Sequence, residues 1–327
     1  MPKCMRCMQD YEAMEYCPFC GNSSQMPAED MRQIPEETIL KRRFIIGQVI
    51  SRDKIGFTYI AWDALLERKV AVKEWFPGAF AQREEDGQNV KSCMEEMLWE
   101  ELCQQFLKKA ESLHRMQKLS VLAPVYMSFQ ENHTAYYVME YLEGMSLREI
   151  LERENPVSPS RAKEYMDQIH KGLEILHGEG LFHGNLTPEN IYFCRNGEVK
   201  FLNLAWFSRE LEKIKYAVFQ TRYASFVYSH SPVVPELSMD TYSENAVYYR
   251  LLTGEEPISA LRRLKKEKLP SIREYGIEVP LDVEKAVMEG MQARAGGEKG
   301  LGFLRVLQGL HVLLLAAVVV MGVLIII

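Results

Sequence analysis

Apolar and polar positions alternate with period two in three early stretches, residues 43–50 (RFIIGQVI), 57–63 (FTYIAWD) and 69–76 (KVAVKEWF). That periodicity, rich in β-branched and aromatic residues, predicts three β-strands. Residues 93–119 switch to apolar spacings of three and four, which predicts one long amphipathic helix. Two more strands are predicted at 124–130 (PVYMSFQ) and 134–141 (TAYYVMEY). The chain beyond is mostly helical in pattern. It is broken by LFHGNLTPENIYF at 181–193 and by a short strand pair, NIYFC at 190–194 and EVKFL at 198–202. Several strands with one helix, followed by a larger helical region, give a two-lobed α+β architecture over residues 44–309.

The two ends differ from this middle. Near the start, CMRCMQDYEAMEYCPFCG sets Cys4 and Cys7, then Cys17 and Cys20, as two C-x-x-C pairs separated by nine residues. Each pair turns two thiolates toward one point, and two pairs complete the tetrahedral four sulfurs that Zn²⁺ prefers. Residues 1–21 therefore read as a zinc ribbon with structural Zn²⁺, in preference to a redox pair or a disulfide. With every position held by sulfur, no coordination site is open for catalysis. Residues 22–43 are polar with two prolines and read as a linker. At the other end, residues 310–327 carry no charged side chain. Sixteen helical residues from Val312 span about 24 Å, and three more bring the run close to a hydrocarbon core. A single-pass membrane segment is expected here, with the bulk in the cytoplasm; the other reading is a buried terminal element. A run that reaches the last residue also fits a longer chain.

Composition narrows the function classes. The 327 residues are 47% hydrophobic and 26% charged, enough for a substantial core, with net charge −6. Residues 1–38 hold three basic side chains against seven acidic ones, so nucleic acid is an unlikely partner. No secretory leader pattern precedes the cysteines, and Cys93, Cys103 and Cys194 are scattered, which suits a reducing compartment.

Several motifs in fixed order carry a resemblance. Val70-Ala71-Val72-Lys73 matches V-A-I-K, and Val138-Met139-Glu140-Tyr141 with Leu142-Glu143-Gly144 matches a strand and hinge that hold adenine. His183-Gly184-Asn185 with Asn190 keeps the frame of H-R-D-x-x-x-x-N. Val234-Pro235-Glu236 stands for A-P-E, and Asp240-Thr241-Tyr242-Ser243 for the start of a large anchoring helix. Residues 44–309 resemble a eukaryotic-type Ser/Thr protein kinase domain of the bacterial Hanks type, often membrane-anchored. The N-lobe would run from about 44 to 140 and the C-lobe from about 141 to 309. The resemblance implies nucleotide contacts from Gly56, Thr58, Ala71, Lys73, Met139, Glu140 and Leu142, with Asn190 and Asn203 facing metal and Asn185 at the base position.

Phosphoryl transfer needs a glycine-rich cover, a lysine on the phosphates, carboxylate-held metal and a base at the hydroxyl. Here the cover reads Ser51-Arg52-Asp53-Lys54-Ile55-Gly56, with only its third glycine. The helix glutamate that should orient Lys73 is Lys109, and Glu111 lies about 200° round the helix. The D-F-G position is Asn203-Leu204-Ala205, and Asn185 replaces the base. Thr187 replaces a lysine, and Tyr192 brings bulk to the adenine floor. Such groups act as a unit, and their joint loss points to a pseudokinase. Pro188, Glu236, Asp240 and Gly254, which support the scaffold, are kept. The expectation is a membrane-anchored scaffold or allosteric regulator of signalling proteins, with ATP binding possible and Mg²⁺ dependence doubtful. The alternative is a divergent but active Ser/Thr kinase.

Overall fold

The computed structural model describes residues 2–12, 15–23, 30–205, 222–224, 237–263 and 268–292. The chain divides into two compact units. The first runs to Met145 and includes Tyr192–Leu202; the second takes Ser146–Ile191, Asn203–Ala205 and the described residues from 222 onward.

Unit one is an antiparallel sheet of six strands in the order β1-β2-β3-β4-β8-β7. These are β1 Ile39–Leu40, β2 Phe44–Arg52, β3 Phe57–Asp63, β4 Arg68–Glu74, β7 Val125–Glu131 and β8 Thr134–Glu140. A small hairpin, β5 Ala81–Arg83 and β6 Val90–Ser92, lies between β4 and the helix α1, Glu96–Arg115. Three short strands complete the unit: β9 Gly144–Ser146, β10 Ile191–Cys194 and β11 Val199–Phe201. Helix α1 buries Trp99, Leu102, Cys103, Phe106 and Ala110, spacings that keep one face inward. Trp75, just past β4, packs on this face at 6.2 Å from Trp99 and 5.8 Å from Phe106. Rings of this size each remove roughly 150–250 Å² from water and dominate the core.

One buried polar network sits among these rings. The Glu74 carboxylate accepts from Tyr59 at 2.7 Å, from Tyr136 at 3.0 Å and from Arg83 at 2.8 and 2.9 Å. Arg83 also donates to the Arg32 carbonyl at 2.8 Å, and the Ile34 N–H donates to the Tyr59 hydroxyl at 3.1 Å. Ile34 and Leu40 are themselves buried. The described part of residues 22–43 is thus packed into unit one, which corrects the linker reading. A polar stretch with two prolines still carries Ile34 and Leu40, and burying them brings its backbone onto the sheet.

The cysteine-bearing segment is also docked. Strand β2 has register irregularities between Ile46 and Val49, which free the Gln48 N–H to donate to the Met5 carbonyl at 2.8 Å. Gly47 is required at this approach, because a Cβ there would collide with the Met5 carbonyl and the Met8 methyl. Met8 is buried, and the Lys3 ammonium lies 3.6 Å over the Trp62 ring.

Unit two is helical: α2 Leu147–Arg153, α3 Pro159–Gly178, α4 Leu237–Thr253, the short α5 Ala260–Arg263 and α6 Leu281–Gly290. A capping box opens α2, with Ser146 and Glu149 each bonding the other's backbone N–H. Helix α4 is buried along most of its length, and α3 and α6 both pack against it. Among the described residues, no helix is long and apolar enough to cross a membrane. The expected membrane segment at 310–327 and the motif at 234–236 lie outside the described residues.

Gly47→Val should push Met5 and Met8 off β2. Overpacking of this kind costs about 1–3 kcal/mol. A urea titration should show that loss, with faster hydrogen exchange at the Gln48 amide.

Candidate functional site

The residues singled out by the kinase resemblance fall into two groups, one in each unit.

In unit one, β3 and β4 pair Thr58 with Lys73 and Ile60 with Ala71, and β4 pairs Ala71 with Met139 of β8. Strand pairing therefore sets Thr58, Ala71, Lys73 and Met139 side by side on three neighbouring strands. Lys73 has no exposed surface. Its ammonium meets the Asp53 carboxylate at 2.6 Å, and that carboxylate comes from the β2–β3 turn. The other Asp53 oxygen accepts the N–H groups of Ile55 and Gly56, at 2.9 and 3.0 Å. Gly56 has a packing role, since a Cβ would strike the Glu74 carbonyl. Its N–H serves Asp53, and the Phe76 N–H bonds the Ile55 carbonyl at 2.8 Å.

Lys109 stands on α1 where the charges of Asp53 and Lys73 act on it. Burial pushes its ammonium down to about 7; Asp53 opposes the fall and Lys73 adds to it. Glu111 is exposed on the other side of the helix, as the 200° argument requires.

The segment that the resemblance reads as a hinge is contacted from within its own unit. The Tyr192 hydroxyl donates to the Leu142 carbonyl at 3.2 Å, so the ring lies against the hinge segment. Glu140 is half-buried with Lys200 at 3.6 Å, and its N–H bonds the Pro124 carbonyl. A cavity of about 450 Å³ beside the β2–β3 turn is lined by Arg52, Asp53, Lys54, Gly56 and Phe80 among others. Its lining includes neither Lys73 nor the hinge.

In unit two, the carboxylate of Asp240 is buried at the start of α4 and gathers the loop around itself. It accepts the backbone N–H of His183 at 2.8 Å and of Gly184 at 2.7 Å, and His177 Nε2 lies 2.9 Å away. Burial works to raise its pKa. The hydrogen bond from His177, the His183 imidazole and the two amides outweigh that and hold it below the ordinary value. Beyond this anchor, three asparagines interlock. Asn185 Nδ2 donates to the Asn203 carbonyl at 3.0 Å, and Asn190 Nδ2 to the Asn185 carbonyl at 2.8 Å. Asn203 Nδ2 donates to Asn190 Oδ1 at 3.0 Å. Asn203 itself sits at φ 54°, a left-handed conformation that asparagine tolerates.

The sulfur atoms of Cys4, Cys7, Cys17 and Cys20 all lie within 4.8 Å of one another. Cys4 and Cys20 approach to 3.6 Å and Cys7 and Cys17 to 3.7 Å, with no disulfide. A tetrahedron with Zn–S bonds of about 2.3 Å has edges of about 3.8 Å, so the cluster fits a four-thiolate metal site. Burial raises the pKa of Cys17, but hydrogen bonds from the Phe19 and Cys20 backbone bring it down to about 7, whereas burial pushes the Cys7 thiol up to about 12 and raises that of Cys20.

A strand-rich unit with one long helix, and a helical unit whose H-G-N loop hangs from a buried aspartate, define a protein-kinase-type fold. The chain belongs to the protein kinase domain family, whose model matches residues 78–289, more than half of its length. The β2–β3 turn and Lys73 precede that stretch. Among curated proteins, it is 25% identical over 258 residues to the serine/threonine-protein kinase PrkC of Bacillus subtilis, covering 76% of this chain and 37% of that protein. It is 25% identical over 263 residues to the serine/threonine-protein kinase PknB of Mycobacterium tuberculosis, covering 74% and 39%. The chain thus spans less than half the length of these relatives. A solved structure titled PpkA-294 apo form superposes with a TM-score of 0.67 over 80% of this chain and 94% of that one, at 20% identity.

Sequence reasoning placed Lys109 in the position where Lys73 acts on it, but missed which group pairs with Lys73. Asp53 was visible as a charge in a glycine position. That it folds onto Lys73 was not, because the turn's path depends on the Gly56 contact with β4.

Asp240→Ala strips the partner from two buried amides and should cost about 3–5 kcal/mol, read by urea denaturation. Because the folded pKa of Asp240 is depressed, its stabilisation is present at neutral pH. It is lost as pH falls below the ordinary carboxylate value of 3.8, through the depressed folded value. Asp240→Asn should therefore flatten the acid limb of the stability–pH curve relative to the parent chain.

Proposed function

We propose that this chain is a pseudokinase, a protein kinase domain kept for binding and regulation, with phosphoryl transfer lost. The observation that carries the reading is the hydrogen bond from Asn203 Nδ2 to Asn190 Oδ1. A carboxylate at position 203 offers only acceptors and would share Mg²⁺ with the Asn190 oxygen. The amide instead donates to that oxygen, engaging one of its two lone pairs and setting an N–H where a metal would need an acceptor. Asn185, at the base position, is tied by its own amide to the Asn203 carbonyl and has no basic lone pair to take a proton. Tyr192 holds the Leu142 carbonyl of the hinge, which weakens the case for adenine. Nucleotide binding, if retained, is weak and independent of metal, through Lys73 and the hinge backbone.

The reading extends to the ends of the chain. Cys4, Cys7, Cys17 and Cys20 hold one structural Zn²⁺, and residues 310–327 anchor the chain in the cell membrane with the kinase-like domain in the cytoplasm. Its partners are signalling proteins that recognise the folded domain. The docking of the ribbon on β2 makes it part of that domain's surface and favours this over a free-swinging module.

Phosphotransfer from ATP with Mg²⁺ to a generic basic protein should be the same for the parent chain and for Lys73→Met. Loss of general-base help alone is worth about 10²–10⁴ in rate. Asn185→Asp combined with Asn203→Asp tests whether those two losses suffice. Phosphorylation that depends on Lys73 in the parent chain would reject the pseudokinase reading in favour of a divergent active kinase.

Elemental analysis should find one zinc per chain, absent in Cys17→Ser. Removing the metal with a strong chelator should lower the melting temperature of the full chain, since site formation and ribbon folding are coupled.

A further inference from the structure

Asp53 stands at the second of the three glycine positions of a nucleotide-covering loop, and both its oxygens are engaged. One accepts the Ile55 and Gly56 N–H groups at 2.9 and 3.0 Å; the other lies 2.6 Å from the Lys73 ammonium. Successive amides at a turn together with a lysine form the kind of donor set that receives a phosphate oxygen. Here that donor set is filled by a carboxylate from the same turn. We propose that Asp53 is an internal substitute for nucleotide phosphate, which satisfies Lys73 without a ligand and keeps polyphosphate out. This rests on reading Lys73 as the nucleotide-facing lysine of the domain.

Four further observations support the substitution. Asp53 is accessible, with 28% of its side chain exposed, while Lys73 is enclosed, so the anion is the partner that can be displaced. Lys109 occupies the helix position where the family resemblance implies a glutamate, so the carboxylate opposing Lys73 comes from the turn and not from α1. The neighbouring cation on the turn, Arg52, is engaged elsewhere, at 2.6 Å from Asp30. The turn's geometry is itself fixed just beyond β4 by the Phe76–Ile55 bond, which keeps the two amides aimed at one point. Removing the carboxylate would leave Lys73 and Lys109 near each other with an amide pair and no counter-charge from the turn. That is an anion site.

The test uses the full 327-residue chain in EDTA, with tripolyphosphate and ATP as probes and adenosine as the phosphate-free control. Asp53→Gly restores the loop glycine; Asp53→Asn removes the charge and keeps an oxygen for the Ile55 and Gly56 amides. Both variants should melt lower than the parent without ligand. Tripolyphosphate should raise their melting temperatures and, by calorimetry, bind at least tenfold more tightly than to the parent. Adding Lys73→Met to Asp53→Gly should abolish the gain, and adenosine affinity should be unchanged throughout. Equal tripolyphosphate binding by parent and variants would overturn the proposal, as would a gain that survives Lys73→Met. Variants that fail to fold and are not rescued by tripolyphosphate also count against it. The magnesium-dependent phosphotransfer assay judges the pseudokinase reading separately, because the EDTA titrations decide the role of Asp53 whether or not the parent transfers phosphate.

Discussion

A buried ammonium must be matched by negative charge, and Lys73 is buried completely. Leaving such a group without its partner costs about 3–5 kcal/mol, a large fraction of a domain's stability. In this chain the match comes from Asp53, and much of unit one is arranged so that it can. Pairing of β3 with β4 points Lys73 beside Thr58, and the bare Gly56 lets the β2–β3 turn press onto the Glu74 carbonyl. The turn then folds its aspartate down onto the lysine. The result is a turn shaped around its own anion.

The second unit follows the same rule with the signs reversed. Asp240 is a buried carboxylate, and two backbone amides and His177 satisfy it. This network sets the path of His183 and Gly184 and depends on backbone donors, so it is indifferent to the side chain at position 185. The Asp240 network therefore holds the loop without drawing on the Asn185 side chain. The asparagines at 185, 190 and 203 bond one another through their side-chain amide N–H groups, donors that an ionised carboxylate lacks. The support of the loop and the side chains at the kinase motif positions reside in different atoms.

The cysteine segment shows how far tertiary contact can alter a modular reading. Its four sulfurs are close enough for one metal, as the paired C-x-x-C spacing predicts. Yet the segment leans on β2 through Gly47 and Gln48, and the residues after it carry Ile34 and Leu40 into the core. A metal at this site would brace the strand that leads into the Asp53 turn.

The amino-acid sequence by itself determined the seven main strands, the helix on the sheet, the helical second unit, the cysteine pairs and the residues that stand at the kinase motif positions. Each of these is written in local periodicity or in spacing along the chain. FTYIAWD at 57–63 is a strand over the whole of its predicted length, and α1 lies within the predicted 93–119. The β5–β6 hairpin was not legible, because three-residue strands are too short to show a period. Tertiary structure alone decided that Asp53 pairs with Lys73, that Tyr192 bonds the Leu142 carbonyl, that Asn203 donates to Asn190, that Ile34 is buried and that Ile39 and Leu40 join the sheet. These pairings join side chains brought together by strand register and by the close approach of backbones. Electrostatic matching of buried groups is settled only by which partners the packed chain sets within reach.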